Sequence, residues 1–456
     1  MWRTRPGRCR VPGCRMTSHE KRQFQTASVP PNHGVPTPLT LVRLAAEAMG
    51  TRFEFALAGP DERHLRAAGE RAIEEIHDAH RRFSLFRQDS LLAHINRTAA
   101  IAPVRLDLDT LAMFQCAIAV HEVSGGAFDI TLAQVMRAWN LHEDSAIDVP
   151  RDHAGTAPGE HKSAGGRAVV PGSEVPRDAP PGMHDLALNS ETVTIAFRRP
   201  GVALDLGAIA KGHALDVAAR CLREDGIEHA LLHGGTSSVV AWGDAPSDGA
   251  ADITRGGAAT ESGNAEQPDM RAEGARRGWP IAVRVPVSNS ESERGGDLAN
   301  PRPPMLLVTL VDEALGVSAP HGRMVLRAPS SQLAAHASED ESDAPRYGHI
   351  IDPRSRSPLR CHHTLAAVLA GSAMQADAWS TALLVLAGRR SDDESGGVDL
   401  DATRQSAAFT AAAVVAAGDE DVPCRFRGEE ISIAGRLRVQ VLGDRRFRVV
   451  GEPEPK

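Results

Sequence analysis

Polar stretches rich in Gly, Pro, Ser and Asp interrupt this chain at about 143–185, 244–278, 287–303, 329–345 and 390–404. Segments of that composition bury too little apolar surface to offset the entropy lost on ordering them. They read as insertions or loops, and the folding problem reduces to what lies between them. That remainder is a core of roughly 300 residues, enough for one large domain or two. The chain divides accordingly: a basic tail over 1–38 read as disordered, a core over 39–390, and a polar linker with a β-rich C-terminal extension over 391–456.

Within the core, periodicity alternates between strand and helix. A strand-like region over 39–57 precedes a predicted helix over 61–82, whose buried face takes Leu65, Ala72, Ile73 and Ile76. A second helix is predicted over 107–123. Val193, Ile195 and Phe197 alternate with polar residues, as a half-buried strand requires. The run 203–207 reads as a strand entering a helix over 210–225, with Ala214, Val217, Ala218, Cys221 and Leu222 along one face. Strands are predicted at 229–233, 238–242, 280–286, 305–311 and 364–370, then a helix over 374–388. Near the C-terminus two β-rich runs flank Gly443-Asp444, which reads as a hairpin turn. Hairpin-like strand pairs mixed with helices predict an α+β fold with largely antiparallel sheets.

Composition narrows the function classes. Aromatic residues are only 4% and Tyr347 is the single tyrosine, so Ala, Val and Leu must fill the core. A net charge of −8 argues against a general nucleic-acid binder. Six scattered cysteines without a CxxC pair argue against a disulfide framework. No run of about 18 apolar residues is present, so no transmembrane segment is expected. The N-terminus carries Arg3, Arg5, Arg8, Arg10 and Arg15 but no apolar stretch of the kind a secretory signal needs. A cytoplasmic protein is expected, with export open if the start is misassigned, Met16 being an alternative.

Three islands carry chemistry. Asp205-Leu206-Gly207-Ala208-Ile209-Ala210-Lys211-Gly212 sits where a helix begins, and small residues at a helix N-terminus admit a phosphate. Asp205 is suited to grip a polar ligand group, and Lys211, one of four lysines, to meet a phosphate. Taken alone, the segment reads first as a tight turn with an N-terminal acid and a solvated lysine. Ser372–Ala382 places Asp377 and Thr381 four residues apart on one helical face. A carboxylate, a hydroxyl and a nearby carbonyl suit Mg²⁺ held partly by phosphates. The alternative is an acid favouring the helix dipole and a threonine bonded back to its own turn. Tyr347-Gly348-His349-Ile350-Ile351-Asp352-Pro353 offers His349 as the group that moves protons near neutral pH, or as a structural histidine.

Read together, DLGAIAKGHALD, HIIDP and ADAWSTA resemble, in order, the signature segments of the ApbE family of FAD:protein FMN transferases. MGTRFEF (49–55), FSLFRQDSLLAHIN (83–96) and GGAFDIT (125–131), with Trp139 beyond it, extend the resemblance over about 49–390. It implies an ApbE-like α+β fold and Mg²⁺-dependent transfer of FMN from FAD to a Thr or Ser hydroxyl of an acceptor flavoprotein carrying a flavinylation motif. It also implies FAD contacts at Met49, Phe86, Ala127, Phe128, Asp129, Asp205, Lys211 and Ile351. The metal falls to the side chains of Asp377 and Thr381 with the carbonyls of Ala208 and Ser380, and His349 is the candidate general base. Two other activities stay open: an FAD pyrophosphatase that yields FMN and AMP, and an FAD-binding protein without turnover. The family usually has Gly-Gly-Asp where this chain has Gly234-Gly235-Thr236. His233 and Cys361-His362-His363 lack the partner spacing of a metal site.

Overall fold

A computed structural model describes residues 39–141, 180–246, 278–285, 305–320, 347–360, 365–388, 409–417, 429–433, 437–443 and 446–450. All belong to one compact unit, Leu39–Lys456. The strand-like region at the start resolves into a hairpin, β1 (Thr40–Ala48) and β2 (Thr51–Gly59), turning at Met49-Gly50 with φ of 51° and 69°. Both turn residues are left-handed, as a two-residue hairpin loop of matching twist requires.

The remaining elements follow in chain order. Helices α1 (Glu62–Phe83), α2 (Leu91–Thr98), α3 (Leu108–Val123) and α4 (Ala133–Ala138) lead to the short strands β4 (Leu186–Asn189) and β5 (Thr194–Phe197), and β5 pairs with both β4 and β3 (Val104–Arg105). Helix α5 (Ala210–Glu224) precedes β6 (His229–Gly234) and β7 (Ser238–Trp242). After β8 (Trp279–Arg284) and β9 (Met305–Leu310) come β10 (Glu313–Ser318), β11 (Tyr347–Asp352), β12 (Ser357–Arg360), β13 (Leu365–Ala370) and α6 (Ala373–Gly388). The last strands are β14 (Phe409–Ala417), β15 (Glu429–Ile433), β16 (Leu437–Gly443) and β17 (Arg448–Val450).

Among the described residues nine strands form one sheet in the order β1-β2-β6-β7-β10-β13-β14-β16-β15, every neighbour antiparallel. Strand β13 is buried on both faces, which is why it reads as an unbroken apolar run rather than an alternation. Ala366, Val368 and Ala370 join the helical side of the core, and Leu365, Ala367 and Leu369 join the opposite side. That opposite side is closed by the small sheet β17-β9-β8, with Trp279 fully buried in it. On the helical side Ala68, Ala72, Ala214, Ala218, Ala376 and Ala382 are all buried, so an aromatic-poor sequence packs its helices closely. Helix α1 is fixed at its start by Asp61, whose carboxylate accepts from the Arg63 and His64 N–H groups.

Four expectations are corrected. The run 203–207 is not a strand: Ala203 makes only an isolated bridge to Leu132, because the Leu204 and Asp205 N–H groups bond to the Asn96 side chain and the Ile130 carbonyl rather than to a ladder. Gly443-Asp444 does not turn a hairpin, since β16 pairs with β14 and β15 while β17 pairs with β9 in the other sheet. The residues read as a C-terminal extension supply β14, β15 and β16 to the central sheet, so position 390 marks a polar stretch and not a domain edge. The stretch 143–185 ends early: Met183–Asp185 form a 3₁₀ turn with Met183 and Asp185 buried. The tail 1–38, most of the predicted insertions and the Cys361-His362-His363 cluster lie outside the described residues.

Candidate functional site

The site is built where the N-termini of α5 and α6 cross. The two backbones meet at Gly212, where a β-carbon would lie 2.3 Å from the Ala373 carbonyl oxygen. On its other side α6 leans on β10 at Gly316, where a β-carbon would lie 2.2 Å from the Ala376 carbonyl oxygen. Glycine at both contacts lets three backbones converge on Asp377. Asp216, which closes the DLGAIAKGHALD segment, caps α6 from the neighbouring helix. Its two carboxylate oxygens accept from Ala373 N–H at 2.8 Å and Met374 N–H at 2.9 Å. Burial pushes its carboxyl up to about 6, against the pull of those bonds. Asp216→Ala should therefore lower stability by about 1–2 kcal/mol, the usual worth of a cap. Chemical denaturation checks this, and an unchanged midpoint would remove the cap from the account.

Asp377 is 5% exposed, and one of its oxygens is fully engaged. Oδ2 accepts from Gly212 N–H at 2.8 Å and from the Ser238 hydroxyl at 2.9 Å. Oδ1 is buried and accepts no hydrogen bond among the described residues. Burial pushes the carboxyl up to about 6, opposed by the charge of Lys211 and by the bonds from Ser238 and Gly212. Around it stand three hydroxyls. Ser318, at the end of β10, lies 2.8 Å from Ser380 Oγ and 3.1 Å from Thr381 Oγ1. Ser380 and Thr381 also donate back to the Asp377 carbonyl at 3.0 and 3.2 Å, the local bonding left open as an alternative for Thr381.

The first island is thus bonded directly to the second. Ala208 sits in the turn before α5, and Lys211 Nζ in the first turn donates to the Gly207 carbonyl at 3.2 Å. Asp205 Oδ1 accepts from Gly207 N–H at 2.7 Å. The loop before α5 is clamped from two sides. Asn96, the last residue of the FSLFRQDSLLAHIN run, bonds both the N–H and the carbonyl of Leu204. Asp205 N–H donates to the Ile130 carbonyl at 2.8 Å, which joins the GGAFDIT segment to the same loop. In that segment Ala127 and Phe128 are buried, their N–H groups donating to Ser124 Oγ, and Asp129 Oδ1 accepts from Thr131 N–H at 2.6 Å.

The remaining predicted residues are placed as follows. Met49 occupies the left-handed hairpin turn, its N–H donating to His80 Nδ1 at 3.0 Å. Phe86 is 50% exposed in the loop between α1 and α2. Ile351, on β11, packs with Leu132, Val135, Leu141 and Trp139, so the HIIDP strand rests on α4. His349 is half-buried on β11, beside Gly348, whose β-carbon would press on Pro320 just past Ser318. His233 lies on β6, where burial drives its imidazole down to about 4 and keeps it neutral. Thr236 is exposed in the β6–β7 turn.

Sequence reading did not single out Ser238, Ser318, Asp216 or Asn96. Asp216 and Asn96 end segments quoted for their resemblance, which was a usable signal. Ser238 and Ser318 reach the site through sheet pairing of β7 with β10, which no local pattern encodes. Among the described residues no three His, Cys, Asp or Glu side chains converge as a metal cage. The donor set is instead one carboxylate with an open oxygen, hydroxyls and carbonyls. That all-oxygen set fits Mg²⁺ shared with ligand phosphates.

Comparison with known proteins agrees with this arrangement. Residues 49–393 match the ApbE family. A Vibrio cholerae protein named FAD:protein FMN transferase is 23% identical over 364 residues, covering 78% of this chain and 85% of its own length. A Treponema pallidum protein of the same name is 27% identical over 301 residues, 66% of each chain. Among solved structures, the flavin transferase ApbE from Vibrio cholerae superposes with a TM-score of 0.55 at 20% identity, over 89% of this chain and 97% of that one. The ApbE protein of Thermotoga maritima gives a TM-score of 0.53 at 20% identity, over 83% and 94%. The antiparallel α+β fold, the order of the islands and the match across most of its length place this chain in the ApbE family.

Proposed function

We propose that this chain is an FAD:protein FMN transferase, moving FMN from FAD to a Thr or Ser hydroxyl of an acceptor protein. The observation that carries the reading is Asp377, a buried carboxylate with one open oxygen where α5, α6 and β10 converge. The names of the relatives and the family match support it.

Asp377 and Thr381, with the carbonyls of Ala208 and Ser380, would hold Mg²⁺. Bound there, the cation supplies neutralisation of charge on the pyrophosphate. The other tasks fall to the chain's own side chains. Asp205, Lys211 and the Ala127-Phe128-Asp129 segment bind the dinucleotide, with Met49, Phe86 and Ile351 against its apolar parts. The acceptor hydroxyl oxygen attacks the FMN phosphorus, the bond from that phosphorus to the bridging oxygen breaks, and AMP leaves with the bridging oxygen. His349 takes the hydroxyl proton. Gly207 and Ala208 keep the turn before α5 clear of large side chains, so the phosphates can approach the N-terminus of that helix.

His349→Ala should leave FAD bound while slowing transfer by about 100-fold, the ordinary worth of a general base. FAD fluorescence quenching and single-turnover kinetics separate the two, and loss of binding would make His349 a ligand contact instead. The reading as a whole is tested by product partition on chromatography. AMP formed in step with flavin on the acceptor supports transfer. Free FMN and AMP would indicate a pyrophosphatase, and unchanged FAD with a competent acceptor would indicate a binder without turnover.

A further inference from the structure

The turn that joins β11 to β12 ends on Arg356, whose φ is 54°. A β-carbon is disfavoured in this left-handed conformation, which glycine adopts freely. The backbone is nevertheless held there from both sides. Arg356 N–H donates to the Asp352 carbonyl at 2.8 Å, and the Arg356 carbonyl accepts from Trp139 Nε1–H at 3.1 Å. The side chain so positioned is half-buried, and its guanidinium makes no hydrogen bond or ion pair among the described residues. Burial pulls its pKa down, and the nearby charge of Asp129 opposes that pull. Asp129 Oδ1 is already occupied by Thr131. His184 lies in the same field, acted on by Asp129, Arg199 and His121. Of these, Arg199 is tied to Asp185 at 2.9 Å and His121 Nδ1 to the Phe128 carbonyl at 2.7 Å. Arg356 is therefore the cation of this group whose donors are unspent.

A half-buried guanidinium with no partner among the described residues can take an anion, and its planar fork matches phosphate oxygens. The turn that carries it is bonded through Trp139, just past α4, and its strand packs through Ile351 on α4, which follows the GGAFDIT segment joined through the Ile130–Asp205 bond to the loop before α5. FAD carries its negative charge on the pyrophosphate alone. We propose that Arg356 binds a phosphate oxygen of the FAD pyrophosphate and makes the site select the dinucleotide over the uncharged flavin. This rests on the proposed use of FAD.

Arg356→Gly tests it cleanly, because the conformation at this position suits glycine and the fold should persist. Dissociation constants for FAD and riboflavin by flavin fluorescence, and for ADP by competition, are compared with the parent chain. The FAD and ADP constants should rise about 10- to 100-fold while that for riboflavin changes less than about twofold, a selective loss of a charge-assisted contact. Arg356→Lys should fall between the two, keeping the charge without the fork. Unchanged FAD binding, or equal weakening of FAD and riboflavin, would overturn the assignment. A raised KM for the acceptor with FAD binding intact would overturn it too and place Arg356 at the protein-binding surface. If the parent chain binds no FAD, the proposed function fails first and this contact with it.

Discussion

Asp377→Asn should cut metal-dependent turnover by about 100-fold or more, the kinetic equivalent of roughly 3 kcal/mol, while the protein remains folded. Asparagine keeps an acceptor oxygen for Gly212 N–H and Ser238, so the crossing of α5 and α6 survives. It lacks the charge on the open oxygen that a divalent cation needs. Stability should move the other way. Burial raises the carboxyl from its ordinary 3.8 to about 6, so the ionised form is disfavoured in the fold. Above pH 6 the native state carries that cost, on the order of 3 kcal/mol before any metal binds. As the pH falls from 6 towards 4 the native carboxyl takes up its proton before the unfolded one does, and the cost disappears. In the absence of metal, Asp377→Asn should therefore be more stable than the parent at pH 8 and equal to it near pH 4. Mg²⁺ should raise the Tm of the parent and not of the variant. A variant that is active, or whose Tm rises equally with Mg²⁺, would remove Asp377 from the metal site.

Gly212→Ala should be the most damaging single methyl in the chain's helical layer. The added carbon would meet the Ala373 carbonyl oxygen at 2.3 Å, a backbone atom that cannot rotate away. Relief requires α6 to shift, which lengthens the Gly212–Asp377 bond and disturbs the cap made by Asp216. Overpacking of this kind costs about 1–3 kcal/mol, and loss of the hydrogen bonds adds to it. Turnover should fall more than stability, because Asp377 rides on the helix that moves. Denaturation midpoints and turnover measured together check this. Wild-type values for both would show that the crossing has room the geometry denies.

Much of this site was legible because local pattern and local chemistry coincide in its islands. The four-residue spacing of Asp377 and Thr381 predicts a shared helical face, and both lie within α6, one turn apart. The helices α1, α3 and α5 begin and end within about one residue of expectation: apolar periodicity marks α1 and α5, and the N-terminal acids Asp61 and Asp107 mark α1 and α3. What stayed hidden depends on contacts distant in sequence. Ser238 bonds Asp377 across 139 residues, and its place follows from the register of β6, β7 and β10. The C-terminal strands read as an extension because β-rich segments announce strands, not which sheet they join. Gly443-Asp444 looked like a hairpin turn for the same reason, whereas Arg446, just beyond it, is tied to Glu313 of β10 and β17 is paired with β9. Trp139 could be matched to the family segment, but its role as the indole that holds the Arg356 carbonyl is a tertiary fact.

The central claim is that FMN leaves FAD for a protein hydroxyl at a site organised by Asp377. Its most direct test is the intact mass of an acceptor protein after incubation with the chain, FAD and Mg²⁺, alongside Asp377→Asn and an EDTA control. The account predicts a mass increase of one FMN on a Thr or Ser of the acceptor, present with the parent chain and absent from both controls. An acceptor of unchanged mass alongside free FMN, or an adduct that forms equally with Asp377→Asn, would contradict it.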